Sequence, residues 1–127
     1  MQEIHDASAA LMEAERLLAI DGTTDASVVW RVSAVVPLAA ILFTVAHAHH
    51  GRVEVTEVRE AASRPAADPG HPELPNWVAI AKSCPNDMLG GRLLRAANLT
   101  VRQRDSIKTV MLEVLAPTTD SSENSGE

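Results

Sequence analysis

A single cysteine, Cys84, rules out any disulfide within the chain, and nothing in this cysteine usage requires an oxidising compartment. Tyrosine is absent, and Trp30, Phe43 and Trp77 are the only aromatic residues. A core must therefore be built from aliphatic side chains and alanine, which favours closely packed helices. The sequence also lacks the motifs of common chemistries. There is no GxxxxGK phosphate loop, no GxGxxG, no HExxH or CxxC, no GxSxG elbow and no convincing carboxylate pair. Nucleotide hydrolysis, dinucleotide chemistry and nucleophilic hydrolysis find no constellation here, so the chain is expected not to be an enzyme and to need no cofactor or small-molecule substrate. The opening residues, MQEIHDASAA, are acidic and polar, unlike a secretory leader, and a location in the cytoplasm, or at the inner face of the membrane, is expected.

What the chain does have is one long apolar stretch. Val28 to Ala46 reads VVWRVSAVVPLAAILFTVA, with no polar stripe one turn apart. A helix apolar on every side is either the buried centre of a bundle or a membrane span. The unbroken run from Val32 to Ala46 is shorter than the roughly 20 residues that cross a bilayer as helix. Arg31 stands before it and His47, His49 and His50 after it. The flanking segments have apolar faces that need covering, and a buried central helix meets that need. Pro37 lies within the stretch and predicts a kink.

The flanking pattern is helical. Ile4, Ala7, Leu11, Ala14 and Leu18, widened by Leu17, mark a first helix over Gln2–Ile20, with Glu3, Asp6, Glu13, Glu15 and Arg16 on its other faces. Asp21-Gly22 reads as its stop, Thr23 to Ala26 as a loop and Asp25 as the cap of the central helix, which ends before Gly51. Thr56 is expected to cap a short helix over Glu57–Ser63. Residues 64–75 carry four prolines and a glycine, too many breakers for regular structure, so they read as a functional loop or a connector crossing the bundle. A short helix follows at Asn76–Lys82. Another runs from Pro85, in its first turn, to Ala97; Gly90-Gly91 inside it either permits a close crossing or weakens the helix. Asn98 is a C-cap. Thr100 and Gln103 form a capping box opening a last helix over Val101–Leu115, striped by Ile107, Val110, Met111, Val114 and Leu115. The expected fold is all-α: a compact bundle of about five helices around a buried central helix, residues 1–117, followed by a disordered acidic tail at 118–127.

Charge is uneven. The formal net charge is −6, yet residues 82–108 hold six basic side chains against Asp87 and Asp105, and the residues beyond Lys108 hold four acids and no base. Arg92 and Arg95 are three apart on one helical face; Arg104 and Lys108 are four apart on another, with Arg102 beside them. A turn at Asn98-Leu99 can converge Arg92, Arg95, Arg102, Arg104 and Lys108 into one patch for phosphate or carboxylate, or leave them as a solvated face neutralised by nearby acids. With tryptophans distant in the sequence, stacking of bases beside these arginines is not expected. His47 and His50 share a helical face and can hold a metal if His71, Asp68 or Cys84 joins them, but no spacing fixes a third ligand. Their place at a helix C-terminus accounts for them equally, because the dipole favours a cation there, and no metal is assigned. Cys84 before a helix start reads as a small half-buried residue or an activated thiol.

Two stretches together resemble the all-alpha domain of type IV secretion (conjugative) coupling proteins, the TraG/TraD-like ATPases. In Ala26–Val58, Trp30 opens a long apolar helix, Ala34 follows four residues on, and a short helix-starting segment comes after. In Leu99–Pro117, Arg104-Asp105-Ser106-Ile107 opens a terminal helix. The resemblance implies a helical accessory domain on a hexameric motor, at the cytoplasmic entrance where single-stranded DNA and relaxosome proteins are engaged. The ATP-binding motor itself is missing from this sequence, so no catalytic residue carries over. Arg102, Arg104 and Lys108, beside the Ser106-Ile107 match, become expected DNA or partner contacts. Binding to a motor ATPase is implied too. Read without the resemblance, the chain is a small helical interaction or regulatory protein, with self-association through an exposed apolar helix face.

Overall fold

A computed structural model describes residues 3–18, 28–66, 69–71 and 74–115. Among them are six helices and no strand: α1 (Ala7–Leu18), α2 (Val28–Ala48), α3 (Val55–Ala62), α4 (Trp77–Ser83), α5 (Asp87–Ala97) and α6 (Val101–Leu115). The expected Asp21-Gly22 stop, the Thr23–Ala26 loop, the Asp25 cap and the acidic tail at 118–127 lie outside the described residues.

The bundle is wrapped on α2, which touches each of the other helices. From Pro37 to Ala46 every residue of α2 is buried. Leu38, Ile41 and Leu42 are fully sequestered, each contributing about 2 kcal/mol of hydrophobic stabilisation. Around them stand alanines: Ala10 and Ala14 of α1, Ala61 and Ala62 of α3, Ala96 and Ala97 of α5. Their small side chains let helix axes approach closely, as the scarcity of aromatics requires. By length and composition Val29–Ala48 is apolar enough to cross a membrane, but 67% of that window is buried within the bundle, as in a core helix. The helix passes through Pro37 without interruption.

Local chemistry sets the helix ends. Asp6 caps α1: its Oδ1 accepts the Ala9 N–H at 2.7 Å, so the helix starts at Ala7 and not at Gln2. Residues 3–6 instead run across the end of α2, where the Ile4 N–H donates to the Gly51 carbonyl at 2.8 Å. Glu13, expected on a polar face, is 1% exposed, and Arg16 reaches it with both Nε and Nη2. The carboxylate beside Arg16 raises the guanidinium pKa above its ordinary value. The α2 C-terminus closes as a Schellman motif: the Gly51 N–H donates to the Ala46 carbonyl and the His50 N–H to His47. The left-handed residue at its C′ position is His50 (φ 58°), with Gly51 also at positive φ (97°).

Further along, Glu54 and not Thr56 precedes α3, and no side chain caps it. The proline-rich segment is a closed loop and not a bundle-crossing connector. The Trp77 N–H donates to the Arg64 carbonyl at 2.9 Å, and the Trp77 indole N–H to the Ala62 carbonyl at 3.0 Å, so the segment returns to where it left. Asn76 caps α4, and Asn86 caps α5 in place of the expected Pro85 start. The Thr100–Gln103 box is present in both directions, at 3.2 and 3.3 Å.

The two glycines of α5 differ. A Cβ at Gly90 would lie 2.7 Å from the Ala81 carbonyl oxygen, so this position lets α5 cross α4, whereas a Cβ at Gly91 meets nothing within 4 Å. Gly91→Ala is therefore expected to stabilise the fold by about 1 kcal/mol through helix propensity. Gly90→Ala should lower stability, because backbone must move. Urea unfolding of the two variants reads the difference.

Candidate recognition cleft

The α5–α6 corner positions the basic residues. Leu89, Leu93 and Ala96–Ala97 turn inward against α2, which leaves Arg92 and Arg95 one turn apart on the outer side. The capping box then fixes the first turn of α6, placing Gln103 and Arg102. Arg92, Arg95, Leu99, Gln103 and Ile107 form one wall of a cleft of about 530 Å³. The opposite wall is the N-terminal half of α2, with Trp30, Val32, Ser33, Val36 and Pro37. Pro37 has no N–H, so the Ser33 carbonyl lacks its helical donor in this wall. A second cleft of about 420 Å³ adjoins at Trp30 and runs beside α6 past Arg102, Ser106 and Val110, with Asp105 and Glu113 on its border.

Trp30 belongs to both clefts and is half-buried. It stands far from the arginines in sequence, yet it is the aromatic surface between them. The expectation that no aromatic accompanies the basic residues is thus corrected. The signal that could have found it was Arg31: a cation next to Trp30 marks where the apolar run leaves the core. Val29 and Val32 on the same part of α2 are 60% and 56% exposed, and Val101 at the start of α6 is 63% exposed.

Not all five basic residues join this site. Arg92, Arg95 and Arg102 are exposed and have no ion-pair partner among the described residues. Arg104 turns away: its Nη1 donates to the Ala97 carbonyl at 3.3 Å, capping α5, and its buried Nε has no partner. Lys108 lies 3.8 Å from Asp105 on its own helix. The single patch of five is therefore a triad of arginines around Trp30, with Arg104 holding the corner together. Arg102 and Arg104 occupy the first turn of α6, where no acid is present and the helix dipole already favours anions. Two cations there are locally unfavourable, and they add to the positive potential at the cleft mouth.

The histidines gather elsewhere. His5, His47 and His50 line a cleft of about 320 Å³ at the other end of α2, with Phe43 edge-on to His47. His49 pairs with Glu57 at 2.9 Å. Among the described residues no group of three His, Cys, Asp or Glu side chains can hold a metal ion; Asp68, one of the expected third ligands, lies outside them. Cys84 is half-buried at the C-cap of α4, two residues before Asn86, the N-cap of α5.

In comparisons with known proteins, no family model, no curated protein and no solved structure matches this chain.

The division among the arginines predicts a division in stability. Arg104→Ala should cost about 1–2 kcal/mol by stripping the α5 cap, while Arg102→Ala should stay within about 0.5 kcal/mol of the parent. Thermal unfolding followed by circular dichroism separates the two.

Proposed function

We propose that this chain is a non-enzymatic recognition domain that engages single-stranded DNA in the cleft around Trp30. The observation that carries the reading is one half-buried indole standing among three arginines that have no ion-pair partner among the described residues. Stacking of a base on an aromatic face and neutralisation of phosphates by guanidinium are the two contributions that sequence-blind single-strand binding needs. The overall acidity of the chain confines such binding to this corner. The reading agrees with the function implied by the likeness to TraG/TraD-like coupling proteins: a cytoplasmic helical domain at the motor entrance, with relaxosome proteins as further partners.

A second reading is favoured by Val29, Val32 and Val101, which leave aliphatic surface open beside the arginines. Such surface suits a protein partner, a relaxosome component or a second copy of the chain, better than it suits a nucleotide.

Fluorescence anisotropy with a labelled oligothymidylate at low and physiological salt tests the first reading. Binding should weaken steeply with salt, and Arg92→Glu with Arg95→Glu should weaken it at least about tenfold. Trp30→Ala should remove about 1–3 kcal/mol of binding free energy. Absence of binding at low salt, or affinity unchanged in the double variant, rejects DNA and leaves the protein-partner reading.

A further inference from the structure

The outer face of α5 is open among the described residues. The helix packs on α2 and α4, with Leu89, Gly90, Leu93, Ala96 and Ala97 buried. At the α-helical turn, Asp87, Met88, Gly91, Leu94 and Arg95 fall within about 60° of one line on the opposite side. All five are exposed. Met88 and Leu94 leave apolar surface in water there. A Cβ at Gly91 would meet nothing within 4 Å, so packing within the chain makes no use of this glycine, although glycine weakens the helix.

We propose that this face pairs with the same face of a second copy of the chain, the two α5 helices running antiparallel about Gly91. Register selects the partner. Asp87 lies four residues before Gly91 and Arg95 four after it; Met88 lies three before and Leu94 three after. In an antiparallel pair related by a two-fold axis, each position before Gly91 meets its mirror position after it in the other copy. The Asp87 carboxylate of each copy then pairs with the Arg95 guanidinium of the other, and Met88 of each packs on Leu94 of the other. Among the described residues Asp87 and Arg95 have no ion-pair partner within the chain. Arg31 and Lys82 have none either, so it is the spacing about Gly91 that marks this pair. The bare Gly91 backbone lets the two helix axes approach at the centre, where a side chain would hold them apart. An 11-residue helix is only about 16 Å long, and the pair buries less than the roughly 1,200 Å² of a standard interface. The dimer is therefore a weak one, formed at high protein concentration and dissociated on dilution. Its two-fold axis runs perpendicular to both helices and keeps corresponding flanks together. The flank carrying Arg92 and Ala96 borders the Trp30 cleft, so the clefts of the two copies open on the same side.

An acid in the first turn of a helix and a base in the last also suit the helix dipole, and a charge swap separates the two explanations. Sedimentation equilibrium of the full chain, from micromolar to millimolar concentration and without nucleic acid, reads the mass. The parent should rise from one chain towards two. Asp87 lines neither cleft, and Asp87→Arg should weaken pairing at least about tenfold by setting arginine against arginine in both halves of the interface. Adding Arg95→Asp to Asp87→Arg should restore pairing to within about threefold of the parent, although both changes oppose the dipole. Gly91→Gln has room within the chain and better helix propensity than glycine, so it should fold at least as stably as the parent and remain a single chain. It decides the matter if a charge variant unfolds by circular dichroism. A parent that stays a single chain at millimolar concentration, pairing that survives Gly91→Gln, or a folded double swap no better than Asp87→Arg overturns the proposal. The oligothymidylate titration stands apart from this result, so either reading can fail without the other.

Discussion

Covering α2 is the constraint from which the rest of the architecture follows. Its sides are apolar all round, so every exposed turn costs hydrophobic free energy, and five other helices are arranged to remove it from water. They succeed over Pro37–Ala46. They do not succeed over the first two turns, where Val29 and Val32 remain open and Trp30 is only half covered. The uncovered end is the place where the α5–α6 corner delivers its arginines. Core and candidate site are two ends of one helix, and the same shortage of covering surface that exposes Trp30 creates the cleft walls.

With almost no aromatic surface to spend, the chain reaches density through alanine and glycine. Gly90 brings α5 onto α4 at the Ala81 carbonyl, and Ala96–Ala97 brings the end of α5 against α2. Trp77, the larger of the two aromatics in the core, uses its indole N–H to close the proline-rich loop onto Ala62. That bond satisfies a buried donor and fixes where α4 begins, and α4 in turn sets the height of α5 and its arginines. Arg104 completes the corner by capping α5 from α6, a structural role that explains why a cation is tolerated at an unfavourable helix start.

Much of this was legible in the sequence because it is local. The apolar run, the Thr100–Gln103 box, the Asn98 cap and the stripe of α6 depend on residues within four positions of one another. What escaped depends on distant partners. Glu13 reads as a surface acid: its partner Arg16 is only three residues on, but its burial comes from α1 packing against α2, which no local pattern shows. Arg104 reads as one of five equivalent cations, because the carbonyl it caps belongs to the preceding helix. Trp30 reads as remote from Arg92 and Arg95, when α2 and α5 cross beside it. The glycine pair could not be divided from sequence, since only the position of Ala81 tells Gly90 from Gly91. His50 in the left-handed position at the end of α2 also runs against the expectation that glycine takes that role, although Gly51 follows it directly.

The central claim is that α2 is sealed at its C-terminal half and open at Trp30. Acrylamide quenching of tryptophan fluorescence tests it most directly, since the chain holds just Trp30 and Trp77 and no tyrosine. The native protein should show two populations, one quenched and one protected, and Trp30→Phe should leave only the protected one. Equal quenching of both, or protection of both, would contradict the account.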